Sequence, residues 1–485
     1  MKKNKKFDIM ETDFYEFTMS QAYFNEGKKD EIVYFDGFFR KIPFDHGYAV
    51  MAGGDEVIEF IRNIHFTEED IAYLRSLNKF TEPFLEYLKN FKFTGDIDLI
   101  PDGTPVFGNE PIVTVKAPII EAQLIETQLL AILNSNIKFA TASKRLLMEA
   151  GDIPVMEFGA RRSDQPTRAT KCGYLAGSCG TSNTKLGRDL GIPVLGTMAH
   201  SMVTEAESEY DAFLSYAKTY PENTVLLVDT YDTLKSGIPN AIQVAKDYLI
   251  PNGYRLSGIR IDSGDLAYTA KMARRMLDEA GMEDAKICVS NGLTAEALRD
   301  LKLQGAPIDS IGAGDNMCAP KERVGVVYKL VGVVKNGEIV HKIKVSDDPA
   351  KTIQPGYKKV YRIYDQATNK ALGDVLALYN EVLKEDEFTL IDIENEYNTK
   401  TIHNYRIRNL QEKIFESGNL IYQEPTMEEK REYCKREMET LYDEHKRLLK
   451  PAKYYIDGTK ELLKLKRELI LASKQKGYEK RIGKK

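Results

Sequence analysis

Four arginines, Arg161, Arg162, Arg168 and Arg260, are the strongest chemical signal in the chain. A guanidinium stays charged at any physiological pH and matches phosphate or carboxylate through two parallel hydrogen bonds. Gly177 to Ser182 and Gly312-Ala313-Gly314 add main-chain amides and hydroxyls that suit oxyanions. Such a set points to a multiply phosphorylated substrate. Asp262 and Asp265 would then serve sugar hydroxyls or Mg²⁺, because a hard cation bound to phosphates takes only one or two protein carboxylates. His200, one of six histidines, is open to three roles: general acid or base, metal ligand, or phosphoryl acceptor. No second His or Cys stands near it at ligand spacing, which counts against a metal. The plain alternatives are a hydrogen-bonded core histidine and arginines spent on surface ion pairs.

Strands must carry these groups. Short apolar runs recur at Val155, Val194, Val225–Val228, Ile259–Ile261, Ile287–Val289 and Ile308–Ile311, with helical patterns between them. This is the rhythm of βα units and a parallel sheet. Nearly every run stops in polar residues: Glu157-Phe158-Gly159-Ala160-Arg161-Arg162, Gly196-Thr197-Met198-Ala199-His200-Ser201, Asp229-Thr230, Asp262-Ser263-Gly264-Asp265, Ser290-Asn291-Gly292 and Gly312-Ala313-Gly314-Asp315. In a parallel barrel those ends share one face, where sites are built, whereas an open doubly wound sheet would gather its ligand at one switch point.

Around this core the pattern differs. Helices are predicted over Asp8 to Phe24, Asp55 to Ile64, Thr67 to Leu77, Ile120 to Leu133 and Ser143 to Ala150. Thr67-Glu68-Glu69-Asp70 reads as a capping box. Ile32 to Phe39 is a strand by alternation, and Asp96 to Ile100, Pro105 to Phe107 and Ile112 to Val115 form a small antiparallel set. Asn336-Gly337 between Gly325–Val334 and Ile339–Val345 signals a hairpin that rejoins the N-terminal set. The expected fold is α/β: an irregular parallel, TIM-like barrel over 126–322, an α+β sandwich domain from 1–125 and 323–400, and a charged helical C-terminal segment over 401–485 with a basic tail.

The totals set bounds. A chain of 485 residues needs two or three domains. Hydrophobic and charged fractions of 42% and 29% are those of a soluble globular protein, and a net charge of -5 argues against nucleic acid or an anionic membrane as partner. Met1 to Lys6 is basic but no apolar stretch follows, so a cytoplasmic protein is expected. Five cysteines without ligand spacing fit reduced thiols.

Taken together, Thr12-Asp13-Phe14-Tyr15, the Glu157 to Arg162 block, the Gly196 to Ser201 block and Arg260-Ile261-Asp262-Ser263-Gly264-Asp265 resemble the nicotinate phosphoribosyltransferase family, in its order, across Asp8 to about Leu330. The C-terminal third matches only loosely. The resemblance implies Mg²⁺-dependent transfer of 5-phosphoribosyl from phosphoribosyl pyrophosphate (PRPP) to nicotinate, giving nicotinate mononucleotide and pyrophosphate, coupled to ATP hydrolysis. It implies that His200 is phosphorylated by ATP and couples that energy, that Tyr15 and Phe158 sandwich the pyridine ring, and that Thr197 and Arg260 contact nicotinate. It assigns Arg161 to the phosphoribosyl group and Asp262 to the ribose, with Ser201, Gly292, Gly312, Gly314 and Asp315 around phosphates and the Mg²⁺ ligands undetermined. Tyr15 would come from a neighbouring subunit, which implies a homodimer with shared sites.

Two positions depart from relatives. Those that use nicotinamide carry an aspartate directly after the Gly-Thr pair, where Met198 stands; a carboxylate ligand is repelled by aspartate and tolerated by methionine. The phosphate loop has Asp315 where many members have threonine, and an acid beside phosphate must face away or bind Mg²⁺. Nicotinamide or quinolinate phosphoribosyltransferase and a non-catalytic phosphometabolite-binding barrel are the competing readings.

Overall fold

A computed structural model describes residues 7–346, 352–383 and 387–482; the basic N-terminal run Met1 to Lys6 and the last three residues of the basic tail lie outside them. Two compact units result, one of residues 139–321 and the other of 1–138 with 322–485.

The unit of residues 139–321 is built on a parallel sheet of β1 (Val155–Glu157), β2 (Gly180–Thr181), β3 (Val225–Leu227), β4 (Gly258–Ile261), β5 (Lys286–Val289) and β6 (Ser310–Ala313). Their order is β2-β1-β6-β5-β4-β3, so the first strand pairs with the last. Val155, Leu226, Ile259, Ile261, Ile287, Val289 and Ile311 are all buried, as strands covered on both faces require. Two of the helices between strands are capped by side chains: Asp265 accepts from the Tyr268 amide at 3.0 Å at the head of Leu266–Glu279, and Thr294 from Ala297 at 3.0 Å at the head of Ala295–Leu303.

No pairing among the described residues joins β2 to β3. Two expectations about the elements need correction. Val194-Leu195 is not a strand but a single bridge to Thr181, because Pro193 lacks an amide and glycines 191 and 196 flank the run. His200 therefore opens a short helix, His200–Glu205, instead of ending a strand. The two helices expected over 120–150 are divided elsewhere, as Ile119–Leu124 and Glu126–Ala150, since no Gly or Pro interrupts 126–150.

In the other unit Ile32–Phe39 lies between Val326–Lys335 and Val113–Pro118, antiparallel to both, within a seven-stranded sheet. Thr67 and Asp70 form the capping box, and Asn336 and Gly337 turn the hairpin with positive φ of 53° and 82°. Residues 401–485 are not a purely helical segment. Helices Met427–Thr440 and Lys460–Ile482 are joined by strands Tyr405–Asn409 and Glu412–Glu416, and Ile456–Gly458 pairs parallel with Ala371–Leu378. Buried Tyr405, Ile414 and Phe415 give those strands an apolar face that their many charges mask in the sequence. No helix among the described residues is long and apolar enough to cross a membrane, and the five cysteines are free thiols.

Candidate active site

Parallel strands put their polar ends at one edge of the sheet, and a cavity of about 280 Å³ opens there. It brings together Phe158, Arg161, Thr197, His200, Arg260 and Asp262 of the predicted residues, with Met198, Ser182 and Leu227 among the rest of the lining.

Alternation on β4 buries Ile259 and Ile261 and turns Arg260 to the other side. Its Nε donates to Ser290 Oγ at 2.9 Å, Nη2 to Asp262 Oδ1 at 3.0 Å and Nη1 to Thr197 Oγ1 at 3.4 Å. Ser290 in turn donates to Asp262. The guanidinium stands 5.5 Å from the Phe158 ring centroid, a cation over an aromatic face. That ring is packed on Gly312, where a Cβ would come within 2.7 Å of it; glycine is needed there for close approach.

His200 has two different sides. Nδ1 lies 3.0 Å from Thr230 Oγ1, while Nε2 is 4.0 Å from Asp229 Oδ1 and 3.9 Å from Asp262 Oδ2. The ring is 43% exposed, which excludes the plain core-histidine reading. Asp229 is buried; its Oδ2 accepts from the Asp262 amide and the Ser263 hydroxyl, and its Oδ1 accepts no hydrogen bond. An unmatched buried carboxylate oxygen facing a histidine leaves an acceptor open to a donor or cation of a ligand.

The remaining predicted residues are placed otherwise. Ser201 is exposed on the short helix, and Gly292, with φ of 58°, sits in the loop after β5. Gly314 is partly buried at the head of a short helix. Asp315 is ion-paired to Arg162 at 3.2 Å, and Arg168 donates to Gln165, so two of the four arginines already have protein partners. Asp265 is spent on its helix cap. Tyr15 belongs to the other unit, on the helix Phe14–Asn25, where it is 45% exposed; burial of the phenol and the nearby Glu126 push its pKa up.

Asp229, Thr230 and Ser290 had no assigned role from the sequence. Each lies just beyond a strand end, which was visible; their contacts with Arg260 and His200 depend on residues about 30 positions away and were not.

Comparison with known proteins adds independent findings. Residues 10–134 match the nicotinate phosphoribosyltransferase N-terminal domain and residues 357–466 the C-terminal domain of the same family. The nicotinate phosphoribosyltransferase of Bacillus subtilis is 40% identical over 456 residues, covering 92% of each chain. The crystal structure of human nicotinic acid phosphoribosyltransferase superposes with a TM-score of 0.82 at 28% identity, covering 95% of this chain and 99% of that one. A nicotinate-nucleotide pyrophosphorylase from Pyrococcus furiosus shares the fold, with a TM-score of 0.68 at 19% identity over 91% of this chain and 99% of its own.

Proposed function

The chain belongs to the nicotinate phosphoribosyltransferase family, and from that premise we propose that the cavity of residues 139–321 is where phosphoribosyl passes from PRPP to the ring nitrogen of nicotinate. The observation that carries the reading is Arg260 beside Phe158. A planar acid laid on that ring meets a permanent cation and the Thr197 hydroxyl at its edge, and Met198 brings no competing charge. As pyrophosphate leaves, C1 of the ribose gains oxocarbenium character. Cations on the leaving group and phosphates, Arg161 first, then matter more than a base, since the pyridine nitrogen has a free lone pair. Asp262, held by Arg260 and Ser290, is presented to the ribose hydroxyls.

His200 is the phosphoryl acceptor of a coupled ATP hydrolysis in this reading, and its exposed ring between Thr230 and two carboxylates supports that role. A phosphate there would order the site for substrate. Among the described residues no group of three or more acids, histidines or cysteines could hold a metal ion. Asp229 and Asp262 nonetheless fit Mg²⁺, which takes one or two carboxylates and fills its other positions with phosphate and water; it would neutralise charge on the pyrophosphate. By the family resemblance alone, Ser201, Gly292, Gly314 and Asp315 would meet the phosphates. Tyr15 completes the ring sandwich from a second subunit of a homodimer, in the cytoplasm. The pairing of β1 with β6 supports an irregular barrel over 126–322 with one open seam, the sandwich domain forming the second unit.

Pyrophosphate release from PRPP and Mg²⁺ tests the reading, with nicotinate, nicotinamide or quinolinate and with or without ATP. Release with nicotinate alone is expected, raised by ATP in the native chain and indifferent to ATP, though still measurable, in His200→Ala. Release with quinolinate and CO₂ would overturn the substrate, and complete loss of transfer in folded His200→Ala would put His200 in the chemical step.

A further inference from the structure

The strand that delivers Phe158 ends in a carboxylate that the transfer chemistry does not use. Glu157 is completely buried, a position that costs several kcal/mol for a carboxylate lacking partners. Four donors meet it. Oε2 accepts from the hydroxyls of Thr170 at 2.8 Å and Thr181 at 2.5 Å; Oε1 accepts from the Gly159 amide and from the Cys318 thiol at 3.1 Å. Burial and the adjacent Glu157 push the Cys318 thiol well above its ordinary range, so it stays an S–H donor. The donors come from four segments: the loop after β1, the helix Pro166–Ala176, β2, and the short helix Asp315–Cys318 after β6.

The Oε1 side governs the residues just after β1. Holding the Gly159 amide fixes the plane of the peptide between Phe158 and Gly159, while the Phe158 amide is fixed by Ala313 O at 2.7 Å. Cys318 closes over the same spot, where a Cβ on residue 159 would lie 2.5 Å from its sulfur. With both peptide planes set and Gly312 beneath it, the Phe158 ring has one place, and Arg161 follows within one turn of 3₁₀-helix.

We infer that Glu157 is the positioning residue of the site, fixing through Gly159 and Cys318 the ring on which the pyridine stacks and the arginine that meets the phosphoribosyl group. The inference rests on the cavity being the nicotinate site. A carboxamide cannot replace Glu157, because its NH₂ would face two donors on one side or the other.

Steady-state kinetics with nicotinate and PRPP, with thermal melting alongside, tests it on Glu157→Gln, Cys318→Ala and Cys318→Ser. Glu157→Gln is expected to raise the nicotinate KM by about tenfold, and Cys318→Ala by about threefold, as misplacing a contact surface does. Cys318→Ser, which keeps a donor, is expected to return the native KM, a rescue that a packing role alone would not produce. Native kinetics in folded Glu157→Gln overturns the inference. If that variant does not fold, equal KM values in Cys318→Ala and Cys318→Ser overturn it. A native chain that does not turn over nicotinate would instead overturn the reading of the cavity.

Discussion

Arg260 and Arg362 each pair with a carboxylate beside an aromatic ring, yet they do opposite work. Arg362 and Asp374 are both 0% exposed, and the guanidinium places Nε and Nη2 on the two oxygens of Asp374 at 2.8 and 2.7 Å. Nη2 also meets Pro105 O, and Phe107 and Tyr454, stacked on each other at 3.6 Å, flank the cation. Tyr454 donates a further hydrogen bond to Asp374, and burial beside that charge drives Glu110 well above the usual carboxylate range. Arg260 and Asp262 are 15% and 29% exposed, with a single 3.0 Å bond between them and a loose 3.4 Å bond to Thr197. The first pair is bidentate and dry, with only Nη1 of Arg362 lacking a hydrogen bond, 3.9 Å from Glu437, so it holds strands together. The second is incomplete and wet at one edge, so it has bonds left to exchange with a ligand.

Breaking the buried pair should cost the most. Arg362→Leu leaves Asp374 buried without its counter-charge, with the Tyr454 hydroxyl still donating to it, and a loss of roughly 3–5 kcal/mol in denaturant unfolding is expected. Arg260→Ala should do the reverse: melting close to native, and kcat/KM for nicotinate down on the order of a hundredfold, because the loss falls on the ligand. Equal stability losses in both variants would erase the distinction.

Glu16 sharpens it from a third side, as a carboxylate buried with too few partners. One oxygen accepts from Thr127, the other has no hydrogen bond, and burial lifts its pKa from 4.5 to about 8. The folded state thus binds the proton more tightly than the unfolded chain. Its penalty is absent below pH 4.5 and grows as the pH rises towards 8. Glu16→Gln is expected to flatten that slope and to gain roughly 2 kcal/mol on the native chain between pH 5 and pH 8 in urea titrations; an unchanged slope would remove Glu16 as its source. The smallest effect belongs to Tyr15→Ala, a rise in nicotinate KM worth about 1–2 kcal/mol of stacking and burial. An unaltered KM would take Tyr15 out of the site.

Features set by neighbours in the chain were legible without coordinates. The strand Ile32–Phe39 follows from alternation, the start of Glu68–Ser76 from Thr67 and Asp70, and the tight turn at Asn336-Gly337 from residues that accept positive φ. The candidate cavity's address was legible for the same reason: a short apolar run stopping in glycine and charge marks a strand end, and Phe158, Arg161, Arg260 and Asp262 lie at or close to such ends.

Tertiary structure decided what each charge is for. Arg362 and Asp374 lie within residues 357–466, which match the family's C-terminal domain although their motifs alone resemble it only loosely, and nothing local separates them from surface ions; only burial among Phe107, Pro105 and Tyr454 makes them structural. Asp265 looked like a ligand and caps a helix, Asp315 looked out of place and pairs with Arg162, and Gly312 looked like a phosphate turn and makes room for a ring. His200 was expected at a strand end and opens a helix, because Pro193 and two glycines hold the pairing of Val194-Leu195 to a single bridge with Thr181. The division has one physical cause. Backbone propensity and turn chemistry act over a few residues, whereas burial, dielectric and hydrogen-bond satisfaction depend on atoms brought together from tens to hundreds of positions away.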